Sequence, residues 1–505
     1  MKLQIASNIN MDSLRYYLKE YSFEKSCSYG NYVIDLVDKN SILYKSNSDV
    51  VIFFIDMDEF NEDIDGVLSH LERFLQNTNK IVILNTLCSS PFYIDTFLHQ
   101  TLKKEIQYNN KLLEFAKKHQ NVLLFDLLKL SKKYNIFDDR YWYTARIKFS
   151  KIGFEVIADE IKRLLKAYKY GSKKVLILDM DNTLWGGVIG EDEIKLANDG
   201  IGKIFLDFQK KIKKLKEFGI LLSVCSKNNY DDAMQGLEHP NSILKENDFI
   251  VKKINWNDKV SNIKSIANEL NLGLNSFVFI DDSPVERELV KTVLPEVEVP
   301  EFPKDIYNLN RWFVESVVER YFSKISLTKE DIKKQEQYEA KLKRDALMKN
   351  GIDYEDFLKS LDIKLTFYIN DDRFVQRYAQ MTQKTNQFNL TTKRYTINDI
   401  KNFLQDAKTT IIAVEYKDKF ANEGIIGLVI LIDKAEFIEI DTFLLSCRVL
   451  KRNVEKAIFK KIDELFGDKD IIGIYKPTKK NMQVKDLYLQ FGFEKIDENK
   501  FIKRR

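Results

Sequence analysis

The sequence predicts an α/β protein: two doubly wound parallel units in succession, closed by an α+β domain. Three observations carry this. Over residues 1–170, short apolar runs alternate with amphipathic helical stretches: LQIA (3–6), YVIDL (32–36), VVIFFI (50–55), KIVILN (80–85) and NVLLF (120–125). Continuous apolar runs separated by helices indicate parallel strands buried on both faces. The pattern restarts at KKVLILD (173–179) and returns at GILLSVCS (219–226) and SFVFIDD (276–282), with helices predicted over 204–219 and 260–272. Beyond 366, TTIIAVEYKD, GIIGLVILID and EFIEIDTFLL read as consecutive antiparallel strands, followed by a helix (454–466), a strand IIGIY (471–475) and a closing FGFEKI. Strands first and a helix packed after them mark an α+β domain.

The predicted boundaries are 1–170, 171–305, a helical charged connector over 306–365, and 366–505. Thr328 and Asp331 offer a capping-box start for the connector helix KKQEQYEAKLKRDALMKN, expected to be a solvated helix. At 505 residues and roughly 150 residues per domain, about three domains are expected. Lys plus Arg (80) nearly balances Asp plus Glu (76). That leaves no basic excess for a nucleic-acid backbone. Apolar residues at 44% and charged residues at 31% fit a globular chain, and 18 Gly and 7 Pro exclude collagen-like or low-complexity readings. The longest apolar runs are strand length, and the start MKLQIASNIN lacks a signal-like pattern, so no membrane span or export is expected. Four scattered cysteines (Cys27, Cys88, Cys225, Cys447) without a CxxC fit a reducing, cytoplasmic setting.

The sharpest motif is VLILDMDNTLWGGVIGEDE (175–193). Asp179 and Asp181 follow directly on a buried strand, where α/β sheets bind ligands, and extended backbone leaves both on one side. Two later strands end with matching chemistry: SVCSKNN places Ser226 and Lys227, and FVFIDDSPVER places Asp281 and Asp282. Lys259 precedes the intervening helix. Acidic groups converging on one sheet edge cannot all ionise without a cation. Oxygen-only ligands favour Mg²⁺. The pair Asp56 and Asp58 in FFIDMDEF lacks the Thr and the Ser/Lys/Asp-Asp series and reads as a strand end.

These residues, with Thr183, resemble the four motifs of the haloacid dehalogenase (HAD) superfamily. The resemblance implies Asp179 as nucleophile forming an aspartyl-phosphate, and Asp181 as general acid and base. It implies Thr183, Ser226, Lys227 and Lys259 as phosphate contacts. Asp179, Asp181, Asp281 and Asp282 are implied as ligands of Mg²⁺. Neither 182–225 nor 227–258 is long enough for a sizeable cap, so a capless site, open to water or to a partner, is expected.

DNTLWGGVIGEDE, MTQKTNQFNLTTKRYT (381–396) and LLSCRVLKRNVEKA (444–457) together are similar to the FkbH-like family over nearly the whole chain. That resemblance implies removal of phosphate from a 1,3-bisphosphoglycerate-like donor and loading of glyceryl onto an acyl carrier protein. A plain phosphatase of a small phosphorylated metabolite, with non-catalytic flanking domains, is the alternative. A scaffold with relic motifs is a third reading.

The C-terminal domain also resembles GNAT acyltransferases. Their pyrophosphate-cradling R/Q-x-x-G-x-G/A corresponds here to Arg448–Asn453, with both glycines replaced, which disfavours acetyl-CoA. Arg448, Lys451 and Arg452 are implied to meet the single phosphate of a carrier's phosphopantetheine arm. Cys447, at the strand end beside the pantetheine groove, is an acyl-accepting thiol or a small buried apolar residue. Cys225 competes for that role. Thr382, Gln383, Asn386, Gln387 and Asn389 suit polyol or phosphate oxygens, or turn-making hydrogen bonds. The N-terminal domain resembles SGNH-type hydrolases in Ser7, Asn8 and Asn85, but Trp142 stands where their histidine is expected, which implies a non-hydrolytic domain.

Overall fold

Five parallel strands build the first sheet, in the order β2-β1-β3-β4-β5: β1 (Lys2–Ser7), β2 (Ser22–Phe23), β3 (Val50–Phe54), β4 (Ile81–Asn85) and β5 (Val122–Phe125). A computed structural model describes residues 1–91, 94–96, 100–327, 334–349, 354–450, 452–478 and 480–505. The chain divides into two units, Met1–Gly171 with Ser323–Ser326, and Ser172–Phe322 with Leu327–Arg505. Within the first unit every residue of β3 and β4 is buried, as expected for strands covered by helices on both faces. The covering helices include α1 (Ile64–Asn77), α2 (Gln100–Lys118) and α3 (Lys151–Tyr170). YVIDL is a helix, Tyr32–Val37, and not a strand. Tyr32 and Leu36 are buried at a spacing of one helical turn, while Ile34 and Val37 face solvent, so the run has one apolar face instead of two.

In the second unit a four-stranded parallel sheet runs β8-β7-β6-β9, with β6 (Val175–Leu178), β7 (Leu221–Ser226), β8 (Phe249–Ile254) and β9 (Phe277–Ile280). Helices α4 (Gly200–Glu217), α5 (Tyr230–Glu238) and α6 (Lys259–Leu270) connect the strands, and α7 (Pro284–Val293) follows the last of them. The edge strand β8 escapes the apolar-run criterion because Lys252 and Lys253 interrupt it. Residues 227–258 are spent on α5 and β8, so no separate cap sheet arises there.

Helix α8 (Lys334–Lys349) is not the solvated connector expected from its charges. Gln337, Tyr338, Ala340, Lys341 and Arg344 are buried. Lys341 Nζ donates to Glu269 O at the end of α6 (3.0 Å). Arg344 is clamped by Asp418, through Nε (2.5 Å) and Nη2 (2.8 Å), and by Glu423 through Nη1 (2.8 Å). Charge patterning misleads here because buried cations survive when each donor is paired. The capping pair Thr328 and Asp331 lies outside the described residues.

The last sheet runs β10-β12-β13-β14-β15-β17-β16: β10 (Lys364–Ile369), β12 (Thr409–Lys417), β13 (Asn422–Asp433), β14 (Phe437–Leu445), β15 (Asp470–Ile474), β16 (Glu494–Asp497) and β17 (Lys500–Lys503). Helices α9 (Val375–Lys384), α10 (Ile397–Gln405) and α11 (Val454–Leu465) pack on it. β15 pairs with β14 only over Phe437–Ile440. Beyond that point the same edge of β14 is taken by β11 (Phe388–Asn389), paired to Leu444 and Leu445. No described helix is long and apolar enough to cross a membrane.

Candidate active site

The carboxyl ends of β6, β7 and β9 deliver one cluster of polar groups. Asp179 follows β6 and Asp281 and Asp282 follow β9, two strands paired side by side. The carboxylates of these three residues offer oxygens within 4.8 Å of one another, the one such acidic or metal-ligating cluster among the described residues. Lys259, the first residue of α6, is buried and donates to Asp179 Oδ1 (2.5 Å), Asp281 Oδ2 (2.7 Å) and Cys225 O (3.1 Å). Burial opposes its charge, but Asp179 and Asp281 outweigh burial and hold the ammonium above its ordinary pKa. Burial, and then the charge of Asp179, pushes the Asp281 carboxyl up, and the same pair of causes raises Asp282 to about 6. One ammonium among three carboxylates leaves excess negative charge. Hard oxygen donors with unrelieved repulsion are the set a Mg²⁺-sized cation fits.

Arg287, on α7, fastens the turn that presents the two carboxylates. Its Nη1 donates to Asp281 O (2.9 Å) and Asp282 O (2.6 Å). Ser283 N adds a bond to Asp281 Oδ1 (2.8 Å). Helices α5, α6 and α7 each start a few residues past a strand end, so their N-terminal N–H groups favour an anion at this edge.

Asp181 does not join the carboxylate cluster, which corrects its assignment as a side-chain metal ligand. Its Oδ1 accepts from Trp185 Nε1 (2.9 Å) and Ile189 N (3.2 Å), and its Oδ2 from Asn228 Nδ2 (3.0 Å). Burial raises its pKa against these bonds. Thr183 is fully buried, and its hydroxyl has no hydrogen-bond partner among the described residues. The tight turn in which Thr183 N and Leu184 N both donate to Met180 O carries it inward. Ser226 ends β7 and is nearly buried. Lys227 lies half-exposed with Nζ 2.6 Å from Glu286 Oε1. Cys225 packs in the apolar layer with Val251, Val260 and Ile263, and burial pushes its thiol up to about 12, unsuited to acyl transfer.

The C-terminal assignments fare differently. Arg448 Nε donates to Ser446 Oγ (3.1 Å) and lies 3.5 Å from Glu423 Oε2. Arg452 is buried. Arg448 is held toward the buried Glu423 and Arg452 is withdrawn from solvent, which corrects their assignment to an incoming phosphate. Lys451 lies outside the described residues. Cys447 opens the single turn Cys447–Val449 after β14; its side chain also lies outside them. The groove expected beside it is filled by β11 and Leu390: Leu390 N donates to Phe443 O (3.0 Å) and Lys476 N to Leu390 O (2.8 Å). The polar stretch 382–389 is spent on local bonds: within α9 Thr382 Oγ1 donates to Ala379 O (2.8 Å), and after β11 Asn389 Oδ1 accepts from Thr392 N (2.8 Å).

In the first unit Asn85 brackets Ile55, accepting from its N–H (2.9 Å) and donating to its carbonyl (2.8 Å). Lys148 neutralises Asp56 (2.8 Å) and Asp58 (2.5 Å) in a buried network. The second Asp-x-Asp pair is thus an ion-paired strand end. Sequence reasoning missed Lys148, Trp185, Asn228, Arg287 and Arg344 as partners. Trp185, Asn228, Arg287 and Arg344 stood in segments already singled out, but only the folded structure shows what each one touches.

Comparison with known proteins places these observations. Neither a protein-family profile nor a curated protein sequence matches the chain. Among solved structures, the chain is similar to the N-terminal part of protein BF1531 from Bacteroides fragilis, which contains a phosphatase domain and was solved complexed with Mg. The identity is 28% and the TM-score 0.57, over 65% of this chain and 95% of that one. Two N-acetyltransferase structures also match. The ribosomal-protein-S18-alanine enzyme of Escherichia coli does so at 12% identity and a TM-score of 0.22, over 28% of this chain and 91% of that one. The PaiA enzyme of Thermoplasma acidophilum, with coenzyme A, does so at 16% and 0.20, over 29% and 100%.

Proposed function

We propose that this chain is a Mg²⁺-dependent HAD-type phosphatase that dephosphorylates a phosphorylated three-carbon acyl donor and loads the glyceryl group as a thioester onto an acyl carrier protein. The observation that carries the phosphatase half is the union of Asp179, Asp281, Asp282 and Lys259 at one sheet edge. The likeness to a phosphatase-containing structure solved with Mg supports the metal. Similarity of three sequence stretches to the FkbH-like family supports the acyl half.

Asp179 attacks the phosphorus of the donor's phosphomonoester, the bond from phosphorus to the departing oxygen breaks, and Asp181 protonates that oxygen. Water then attacks the aspartyl-phosphate, passes its proton to Asp181, and phosphate leaves with Asp179 restored. Lys259 and the helix N-termini hold the phosphoryl oxygens. Mg²⁺, held by Asp179, Asp281 and Asp282, would neutralise charge on the phosphoryl group. In the acyl step a thiolate, proposed to be that of Cys447, attacks the acyl-phosphate carbonyl. The carbon–oxygen bond to phosphate breaks, and the thioester passes to the carrier's thiol. The sum is donor, water and carrier thiol going to glyceryl thioester and two phosphates.

A plain phosphatase is the second reading, favoured by one observation: Arg448 is tied inward to Glu423 and Ser446 instead of being presented to a phosphopantetheine. Intact mass after Mg²⁺ and fresh 1,3-bisphosphoglycerate, with an EDTA control, separates the two. A metal-dependent glyceryl adduct lost in Cys447→Ser supports acyl loading. Phosphate release without an adduct leaves the phosphatase alone, and no release overturns both.

A further inference from the structure

Trp185 is the largest fully buried side chain among the described residues, and its one polar atom is aimed at Asp181. The fold makes room for this. Gly236, on α5, lies against the indole so closely that a Cβ there would stand 2.5 Å from Cη2. Gly186, next to Trp185 in the chain, is also close-packed: a Cβ there would stand 2.8 Å from Phe205 Cε2. Asn228 is oriented as firmly. Its Oδ1 accepts from Asn229 N (2.8 Å), which turns its amide nitrogen to Asp181 Oδ2. The third donor, Ile189 N, belongs to the same Asp181–Ile189 turn as Trp185.

Two carboxylates on one strand end are thereby sorted. Asp179 faces an ammonium and two other carboxylates. Asp181, two residues on, has both oxygens engaged by neutral N–H donors. Neutral donors orient a carboxylate without neutralising it, and they keep it from swinging onto Lys259 or a cation, where it could no longer exchange a proton with substrate.

We propose that Trp185 and Asn228 are positioning residues that hold Asp181 for proton transfer to the departing oxygen. This rests on the reading of Asp181 as the acid–base group. A residue acting only through the acid matters most when the leaving group needs a proton. Glycerol 3-phosphate, which departs as an alkoxide, depends on that proton; p-nitrophenyl phosphate, which departs as a stabilised phenolate, hardly does.

The test compares kcat/KM for these two esters in the full chain with Mg²⁺. Trp185→Phe keeps an apolar ring but deletes the donor. It is expected to lower kcat/KM for glycerol 3-phosphate roughly tenfold to a hundredfold and for p-nitrophenyl phosphate less than about threefold, a pattern that Asp181→Asn shares in stronger form. The Mg²⁺ concentration for half-activation stays unchanged. Asn228→Ala repeats the pattern and serves should Trp185→Phe not fold. Equal losses on both esters, or a shifted Mg²⁺ requirement, overturn this inference alone. Absence of Mg²⁺-dependent phosphate release from either ester by the unaltered chain overturns the phosphatase reading, and this inference with it.

Discussion

Lys259 and Asp179 form a buried ion pair, with Nζ 2.5 Å from Oδ1 and side chains 3% and 10% exposed. The same ammonium reaches Asp281 at 2.7 Å, so one lysine spans the two strand ends that carry the carboxylates. Removing it leaves like charges facing each other in a desolvated edge. Lys259→Met is expected to lower the melting temperature in EDTA, and Mg²⁺ to restore more of it than it adds to the unaltered chain. Thermal unfolding with and without metal checks this; an equal Mg²⁺ effect in both proteins would contradict the shared site.

Mg²⁺ binding should depend on pH through the same carboxylates. Asp282 titrates near 6 in the folded chain, against an ordinary 3.8. A raised carboxyl pKa favours the protonated folded form. That stabilisation is present below the unfolded value and is lost as pH rises through about 6. Above it the ionised cluster repels itself and a cation brings relief. The rise in melting temperature on adding Mg²⁺ is therefore expected to be small at pH 5, where about a tenth of such a group is ionised, and several-fold larger at pH 7.5. A Mg²⁺ effect independent of pH would exclude these ligands.

Asp179→Asn is expected to abolish phosphate release, while Asp181→Asn lowers it by about 10²- to 10⁴-fold, the range of general acid–base catalysis. Acid-quenched enzyme incubated with ³²P-labelled substrate checks the order of events. Label is retained by Asp181→Asn and absent from Asp179→Asn.

Gly236→Ala places a methyl against Trp185 Cη2 and Cζ2. Overpacking of this kind costs about 1–3 kcal/mol and displaces the indole. The expected outcome is a lower melting temperature together with the leaving-group-dependent loss of Trp185→Phe. A loss of stability with an unchanged ester preference would show that the indole's position does not govern Asp181.

Arg344→Met removes the buried counter-charge of Asp418 and leaves Glu423 to Arg448 alone, and is expected to cost about 3–5 kcal/mol. Denaturant unfolding measures it. Because Arg448 shares Glu423, the turn Cys447–Val449 should gain protease sensitivity in the variant.

The parallel strands and the edge they share were legible because their causes are local. VVIFFI, IVIL and VLIL are apolar without interruption, and a strand buried on both faces must be. Asp179, Ser226, Asp281 and Asp282 were placeable for the same reason, since each stands at or just past the carboxyl end of such a run. YVIDL shows where that criterion stops: five residues do not distinguish a short buried strand from a one-faced helix, and which face found cover decided it.

Residue order alone thus determined the uninterrupted central strands and the acidic strand ends, because burial of a continuous apolar run and the direction of its last side chains are properties of the run itself. Tertiary structure alone decided which charges face inward. Nothing in the sequence pairs Arg344 with Asp418, Arg448 with Glu423, or Asn228 with Asp181, and each pairing changed a role expected from charge patterning or from a resemblance. A charged side chain's environment is set by whatever surface closes over it, and that surface comes from a part of the chain far away in sequence.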